Sequence, residues 1–346
     1  MSTMTTTPEP EPDDSDEDAG IASHLDENGN PKIIERHLIV PPELAGLRLD
    51  HFVKTQIVRL SRTKIQAIIE TQLTRTDGFK PKASTSVAAG EHYVIRRPAP
   101  PEPPCPRTFT VVQEDARMRI IDKPAGLPVH ASAKFYFNTL TRVLSERYPD
   151  EPELQICHRL DRETSGVLVL ARDREAAAFL KDAIGRKDRT TKEYLAIVHG
   201  QPPWDTEAVL DIPLRLSTEA DDTRLPHVRM LPDSRGLEAI TRVIVLQRAR
   251  DYALVRCTLV TGRQHQIRAH LAAAGFPIVG DKLYTHGDDA FIEYCDEGLT
   301  PELAAMFVIP RHALHAARIT LPHPEGGTVT GVAPLPADLA QLLDSR

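Results

Sequence analysis

The chain has 346 residues, 41% hydrophobic and 26% charged, with a formal net charge of −7. This is a globular composition, long enough for one large domain and a small one. No stretch approaches the roughly 20 apolar residues that span a bilayer, and no charged-then-apolar leader opens the chain. The four cysteines, Cys105, Cys157, Cys257 and Cys295, form no Cys-x-x-Cys pair, which argues against structural zinc or a disulfide framework and for a reducing, cytoplasmic setting.

In chain order, the charge is uneven. Residues 1–18 hold seven acids and no Lys or Arg, so this segment alone carries the whole net charge. Its apolar-poor composition predicts a disordered acidic tail, extended here to 1–35. Residues 46–97 hold ten Lys/Arg against four acids, a local charge of +6 inside a small domain expected over 36–97. There, Ser61 is a candidate N-cap for a helix with Ile65, Ile68 and Ile69 on one face. Arg62 and Lys64 then project from its first turn toward solvent or phosphate. A short strand is expected at His92–Ile95. Six prolines in the nine residues 98–106 predict a stiff spacer over 98–107 and a domain boundary.

The remainder, 108–346, mixes strands and helices without regular alternation, an α+β pattern. Strands are predicted at Met118–Ile121, 167–171, 194–198 and 253–260. One helix is expected to be capped by Asn138 and to bury Leu140, Val143 and Leu144. Another is capped by Asp173 and stopped at Gly185. A third, over 264–274, ends at Gly275 with Ile267, Leu271 and Ala274 as its apolar stripe. On that last helix His265 and Arg268, three apart, lie together.

The segment His158-Arg-Leu-Asp-Arg-Glu-Thr-Ser-Gly166 places Asp161 between Arg159 and Arg162, just before the apolar run 167–171. A carboxylate among cations stays ionised, which suits nucleophilic or base chemistry on an anionic substrate. An ion-paired aspartate capping a turn is the plainer alternative. The string resembles the signature of the RluA family of pseudouridine synthases. Further segments resemble that family's blocks in order: Asp122-Lys-Pro-Ala-Gly126, Lys192-Glu-Tyr194-Leu-Ala196, Thr261-Gly-Arg263-Gln-His265-Gln-Ile-Arg268-Ala-His270, Gly280-Asp-Lys-Leu-Tyr284 and Arg311-His-Ala-Leu-His-Ala316. Residues 36–97 resemble a small α/β alpha-L RNA-binding domain through Arg48-Leu-Asp50, the Ser61-Arg62 helix start and Ala89-Gly90-Glu91. The usual Val-x-Val-Asn-Gly is degraded to Leu73-Thr-Arg-Thr-Asp-Gly78.

The resemblance implies a catalytic domain on a mixed, mostly antiparallel sheet, with Asp161, Tyr194 and Arg268 as the catalytic set and Arg268 paired to Asp161. It implies Arg159 as the wedge that replaces a flipped base, with His158 in support, and RNA contacts at Arg62, Lys64, Arg263 and His265. The reaction breaks N1–C1′ of a uridine, turns the uracil and rejoins it through C5, which needs one carboxylate, as nucleophile or as base. No cofactor is implied, and the absence of a Gly-rich phosphate loop agrees. No metal is expected either: His265 and His270 are five apart rather than four, and His312 and His315 have no carboxylate at a metal-binding spacing. The expected partner is RNA, ribosomal first and transfer RNA second, bound by a monomer.

Two other classes compete. Asp161 and Glu163, two apart, could be the paired carboxylates of a retaining glycosidase. One tryptophan, Trp204, and 5% aromatics offer little for stacking sugars, so Glu163 is expected to be ordinary. Ser165 lacks the Gly-x-Ser-x-Gly elbow of a hydrolase. A non-catalytic RNA-binding assembly factor would not need Asp161, Tyr194 and Arg268 together.

Overall fold

The computed structural model describes residues 24–344 apart from Arg59, Ala133 and Lys187; the expected acidic tail at 1–18 lies outside them. Described residues up to Pro103 form one compact unit and those from Pro104 a second.

The first unit holds strands β1 (Ile33–Ile39), β2 (Leu73–Arg75) and β3 (His92–Pro98) and helices α1 (Leu49–Gln56) and α2 (Arg62–Thr71). Its antiparallel sheet runs β1-β3-β2. The Ser61 side chain accepts from Lys64 N–H, as the cap requires, and Ile65 and Ile69 face a core with Leu38, Leu49, Phe52 and Tyr93. Two boundaries differ from expectation. The domain begins before 36, because Ile34 is buried on β1. The proline run is not all spacer either, since Pro98 pairs with Ile33 and the Ala99 N–H donates to Lys32 O.

The second unit contains, in order, β4 (Thr110–Glu114), β5 (Met118–Lys123), α3 (Leu140–Arg147), β6 (Gln155–Ile156), β7 (Ser165–Ala171), α4 (Arg174–Gly185), β8 (Thr191–His199), β9 (Ala208–Asp211), β10 (Leu214–Leu216), β11 (Met230–Pro232), β12 (Ile240–Arg248), β13 (Tyr252–Leu259), α5 (Gln266–Ala273), α6 (Gly287–Glu297), α7 (Pro301–Phe307), β14 (Leu314–Pro322), β15 (Thr328–Val332) and α8 (Ala337–Asp344). A large sheet runs β4-β5-β7-β14-β8-β13-β12-β9, with β15 beside β14 and β6 beside β7. Only β7–β14 is a parallel pair, so the sheet is mixed and mostly antiparallel, as expected.

Strand β7 is buried along its whole length, which explains an unbroken apolar run where alternation would mark a half-exposed strand. Burying Leu168, Val169 and Leu170 contributes up to about 1.5–3 kcal/mol each. Gly166 has φ +112°, and a Cβ there would lie 2.2 Å from Ala316 O, so only glycine lets β14 lie against the start of β7. Two caps moved. Thr139, not Asn138, caps α3 by accepting from Arg142 N–H. Helix α5 starts at Gln266 rather than 264, because His265 adopts φ 51° as its N-cap.

Candidate active site

Residues 158–164 form the turn entering β7, and neighbouring segments fix its shape. His158 Nε2 accepts from Val169 N–H at 3.1 Å. The Arg162 carbonyl accepts from Gly126 N–H at 2.8 Å and from Lys123 Nζ at 3.2 Å. Lys123 is fully buried and also donates to Pro124 O and Leu127 O; burial brings its pKa down to about 7. The Asp122-to-Gly126 segment is therefore the brace under the Asp161 turn.

Asp161 lines a cavity of about 490 Å³ with Arg159, Lys192, Tyr194, Arg263 and His265, and is the only carboxylate lining it among the described residues. Arg268 Nη1 donates to Asp161 Oδ2 at 3.0 Å. The other edge of the same guanidinium donates to Asp281, at 2.7 Å from Nε and 3.0 Å from Nη2. Asp281 is fully buried and also accepts from the Leu283 and Tyr284 N–H groups. Arg268 is thus fastened bidentately to Asp281 and presents its remaining edge to Asp161, a fork geometry that lysine cannot reproduce.

Burial alone would raise the Asp161 pKa. His265, Arg268 and His312 together outweigh it and hold the carboxyl at about 2, the two imidazoles contributing because they are protonated at that acid pH. His265 and His312 are themselves brought down to about 4, by burial first and then by Arg268. Both imidazoles are consequently neutral at pH 7, and the permanent cation beside Asp161 is Arg268. Tyr194 is held protonated, by burial and then by the Asp161 charge. That favours its ring as a stacking surface over its oxygen as a base in the unliganded site.

The expectation that Arg159 and Arg162 flank and ionise Asp161 is not what the fold does. Arg162 turns away to Glu163 at 3.1 Å and the Tyr294 hydroxyl at 2.8 Å. Arg159 stays exposed at the cavity wall. His158, expected to assist it on RNA, is tied to the β7 backbone. His265 lies 3.8 Å from Asp161 Oδ1 and 3.4 Å from the Tyr284 hydroxyl, part of the carboxylate's cage. Arg263 lines the cavity with its Nε donating to Glu238 O. In the first unit Lys64 is exposed, and Arg62 is exposed but paired with the buried Asp50 at 3.3 Å. His270, His312 and His315 bond to Thr241, Thr164 and Ser165 respectively.

Glu163 is not ordinary. It accepts from Lys282 Nζ at 2.9 Å, the Tyr294 hydroxyl and the His312 N–H. Against burial, Lys282, His312 and Arg162 hold it at about 2. It ties the Asp161 turn to α6 and to the segment before β14. Asp281 was also missed as a site residue. Its signal was in the Gly280-Asp281 block, but that block alone does not say which cation the aspartate holds.

Residues 117–273 match the RNA pseudouridylate synthase family. The chain is 37% identical to an RNA pseudouridine synthase of Chloroflexus aurantiacus, covering 89% of this chain and 93% of that protein. It is 33% identical to ribosomal large subunit pseudouridine synthase D of Nitrosomonas europaea, over 89% of this chain and 87% of the relative. Among solved structures it resembles human RNA pseudouridylate synthase domain containing 4, with a TM-score of 0.53 and 30% identity over 68% of this chain and 92% of that one. With such similarity along nearly its whole length, on this sheet, the chain belongs to the RluA family of RNA pseudouridine synthases.

Proposed function

We propose that the protein isomerises specific uridines in large-subunit ribosomal RNA to pseudouridine, with Asp161 as the catalytic carboxylate. The observation carrying this reading is one ionised carboxylate, aimed by Arg268 into a cavity whose other permanently charged lining residues, among those described, are cations. Relatives named as large-subunit synthases, at 32–33% identity, favour that RNA over transfer RNA. Asp161 acts as nucleophile or base while the N1–C1′ bond breaks; the uracil turns, C5 bonds to C1′, C5 loses its proton and N1 gains one. Arg268 is a positioning residue. Arg159 fills the gap left by the extruded base. The protein works as a cytoplasmic monomer, and no helix among the described residues is long and apolar enough to cross a membrane. Pseudouridine mapping of ribosomal and transfer RNA from cells with and without the protein tests the reading. A lost large-subunit position supports it, loss only in transfer RNA moves the substrate, and no loss anywhere overturns it.

Tyr194 supplies the ring on which the uracil rests. Its hydroxyl comes into use late, at the loss of the C5 proton. Tyr194→Ala should weaken RNA binding by ~1–3 kcal/mol, the usual worth of a base–aromatic stack. Tyr194→Phe should bind within about twofold of wild type, since it keeps that stack, and should still react with 5-fluorouridine RNA, which has no C5 proton to lose. A Phe variant inert toward 5-fluorouridine RNA would place the hydroxyl before bond cleavage.

The basic unit around α2 acts as an alpha-L-type phosphate anchor that positions RNA without reading bases. Its +6 charge over residues 46–97 and the exposed Lys64 support this. Lys64→Ala should lower the slope of log affinity against log salt by about 0.7–0.9, the value of one phosphate contact. An unchanged slope removes Lys64 from the anchor.

A further inference from the structure

Lys192 has no part in the scheme above. It lies on β8 two residues before Tyr194, so both side chains leave the same face of the strand, roughly 6.6 Å apart at 3.3 Å per residue, and both line the Asp161 cavity. Burial lowers its pKa, with no carboxylate contributing. Among the described residues its ammonium makes one hydrogen bond, to Ile184 O in the last turn of α4, at 3.4 Å. That bond is long, and it leaves two of the three ammonium protons without an acceptor among the described residues.

Lys192 is half-buried, so its ammonium is only partly hydrated, and a cation so placed gains from an anionic partner. The buried cations nearby are paired within the protein: Arg268 has Asp161 and Asp281, Lys282 has Glu163, and Lys123 has three carbonyls. Lys192 has one distant carbonyl. Beside it Gly262 has no side chain, and a Cβ there would sit 3.4 Å from Nζ, so that approach to the ammonium stays open. The cavity's one carboxylate is already engaged by Arg268. A counter-charge for Lys192 is therefore left for a ligand to supply.

We propose that Lys192 binds the phosphodiester flanking the target nucleotide when the base lies between Asp161 and Tyr194, a subsite that rests on the RNA-modifying reading above. The cation at the neighbouring strand position registers the RNA backbone, while the cavity floor receives the base.

The test uses the full chain and a single-stranded oligoribonucleotide whose only uridine is one central 5-fluorouridine. Two further oligonucleotides carry a neutral methylphosphonate in place of the phosphate on its 5′ or its 3′ side. Wild type should bind and react at least about tenfold less well with one of these, as for a lost charge-assisted bond. Lys192→Met and Lys192→Gln should lose about as much on the native oligonucleotide and nothing further on that substituted one, while Lys192→Arg stays near wild type. If wild type ignores both neutral linkages, or if the Met and Gln variants remain as sensitive as wild type, the subsite is wrong. Lower melting temperatures with that sensitivity intact would make Lys192 only a cap on α4 and overturn the proposal too. A wild-type protein that neither binds nor converts uridine RNA sinks the RNA-modifying reading, and the subsite with it.

Discussion

Asp161→Asn is expected to abolish pseudouridine formation and leave RNA affinity and folding nearly intact. The amide is isosteric with the carboxylate and can still accept from Arg268 Nη1, but it is neither nucleophile nor base. Losing the one reacting group of an active site costs on the order of 10⁴-fold or more in rate. The fold should survive because Arg268, buried and charged, keeps its bidentate partner Asp281, so no buried charge is left without compensation. Single-turnover rates on RNA, melting temperature and affinity would be measured together. A variant retaining more than a small fraction of the wild-type rate removes Asp161 from the chemistry.

Arg268→Ala should be nearly as damaging, by a different route. Without the guanidinium, Asp161 loses its permanent cation, and burial raises its pKa from about 2, opposed only by His265 and His312 where they are protonated. The ionised, active form is then lost as pH falls through the new, higher value. The variant's log rate should therefore climb with pH across a range where wild type is flat. Removing one preorganised charge partner commonly costs ~3 kcal/mol, a hundredfold or more in rate. The same change strands the fully buried Asp281, and an uncompensated buried charge costs about 3–5 kcal/mol of stability. Arg268→Lys guards against simple unfolding: it restores a charge, but one ammonium cannot serve both carboxylates as the fork does. It should fold and remain well below wild type. A pH–rate profile for either variant that parallels wild type would show that Arg268 does not set the ionisation of Asp161.

The local signals in the chain were strong where one principle sufficed. The Ser61 and Asp173 caps, the period of Ile65 and Ile69, the stop at Gly275 and the buried run of β7 each follow from neighbours within a few residues. Asn138 and Thr139 are both good cap residues side by side, so propensity alone could not separate them. The start of α5 was misplaced because a left-handed histidine is rare enough that no local rule selects it. What aims His265 at Asp161 is that conformation.

The site divides the same way. Sequence by itself singled out the candidates for the chemistry, because an ordered set of short blocks places Asp161, Tyr194 and Arg268 in one family's pattern. It also localised the charge, separating an acidic tail from a basic unit that the chain average hides. It did not determine the partners. Arg159 and Arg162 are covalent neighbours of Asp161, yet the turn points them elsewhere, and the cation that matters comes from 107 residues along the chain. Glu163 became a structural tie and Lys192 an ammonium short of acceptors for the same reason. Ion pairing acts over a few ångströms and depends on what else is buried there, and those distances exist only once β7, β8, β14 and α5 have packed together.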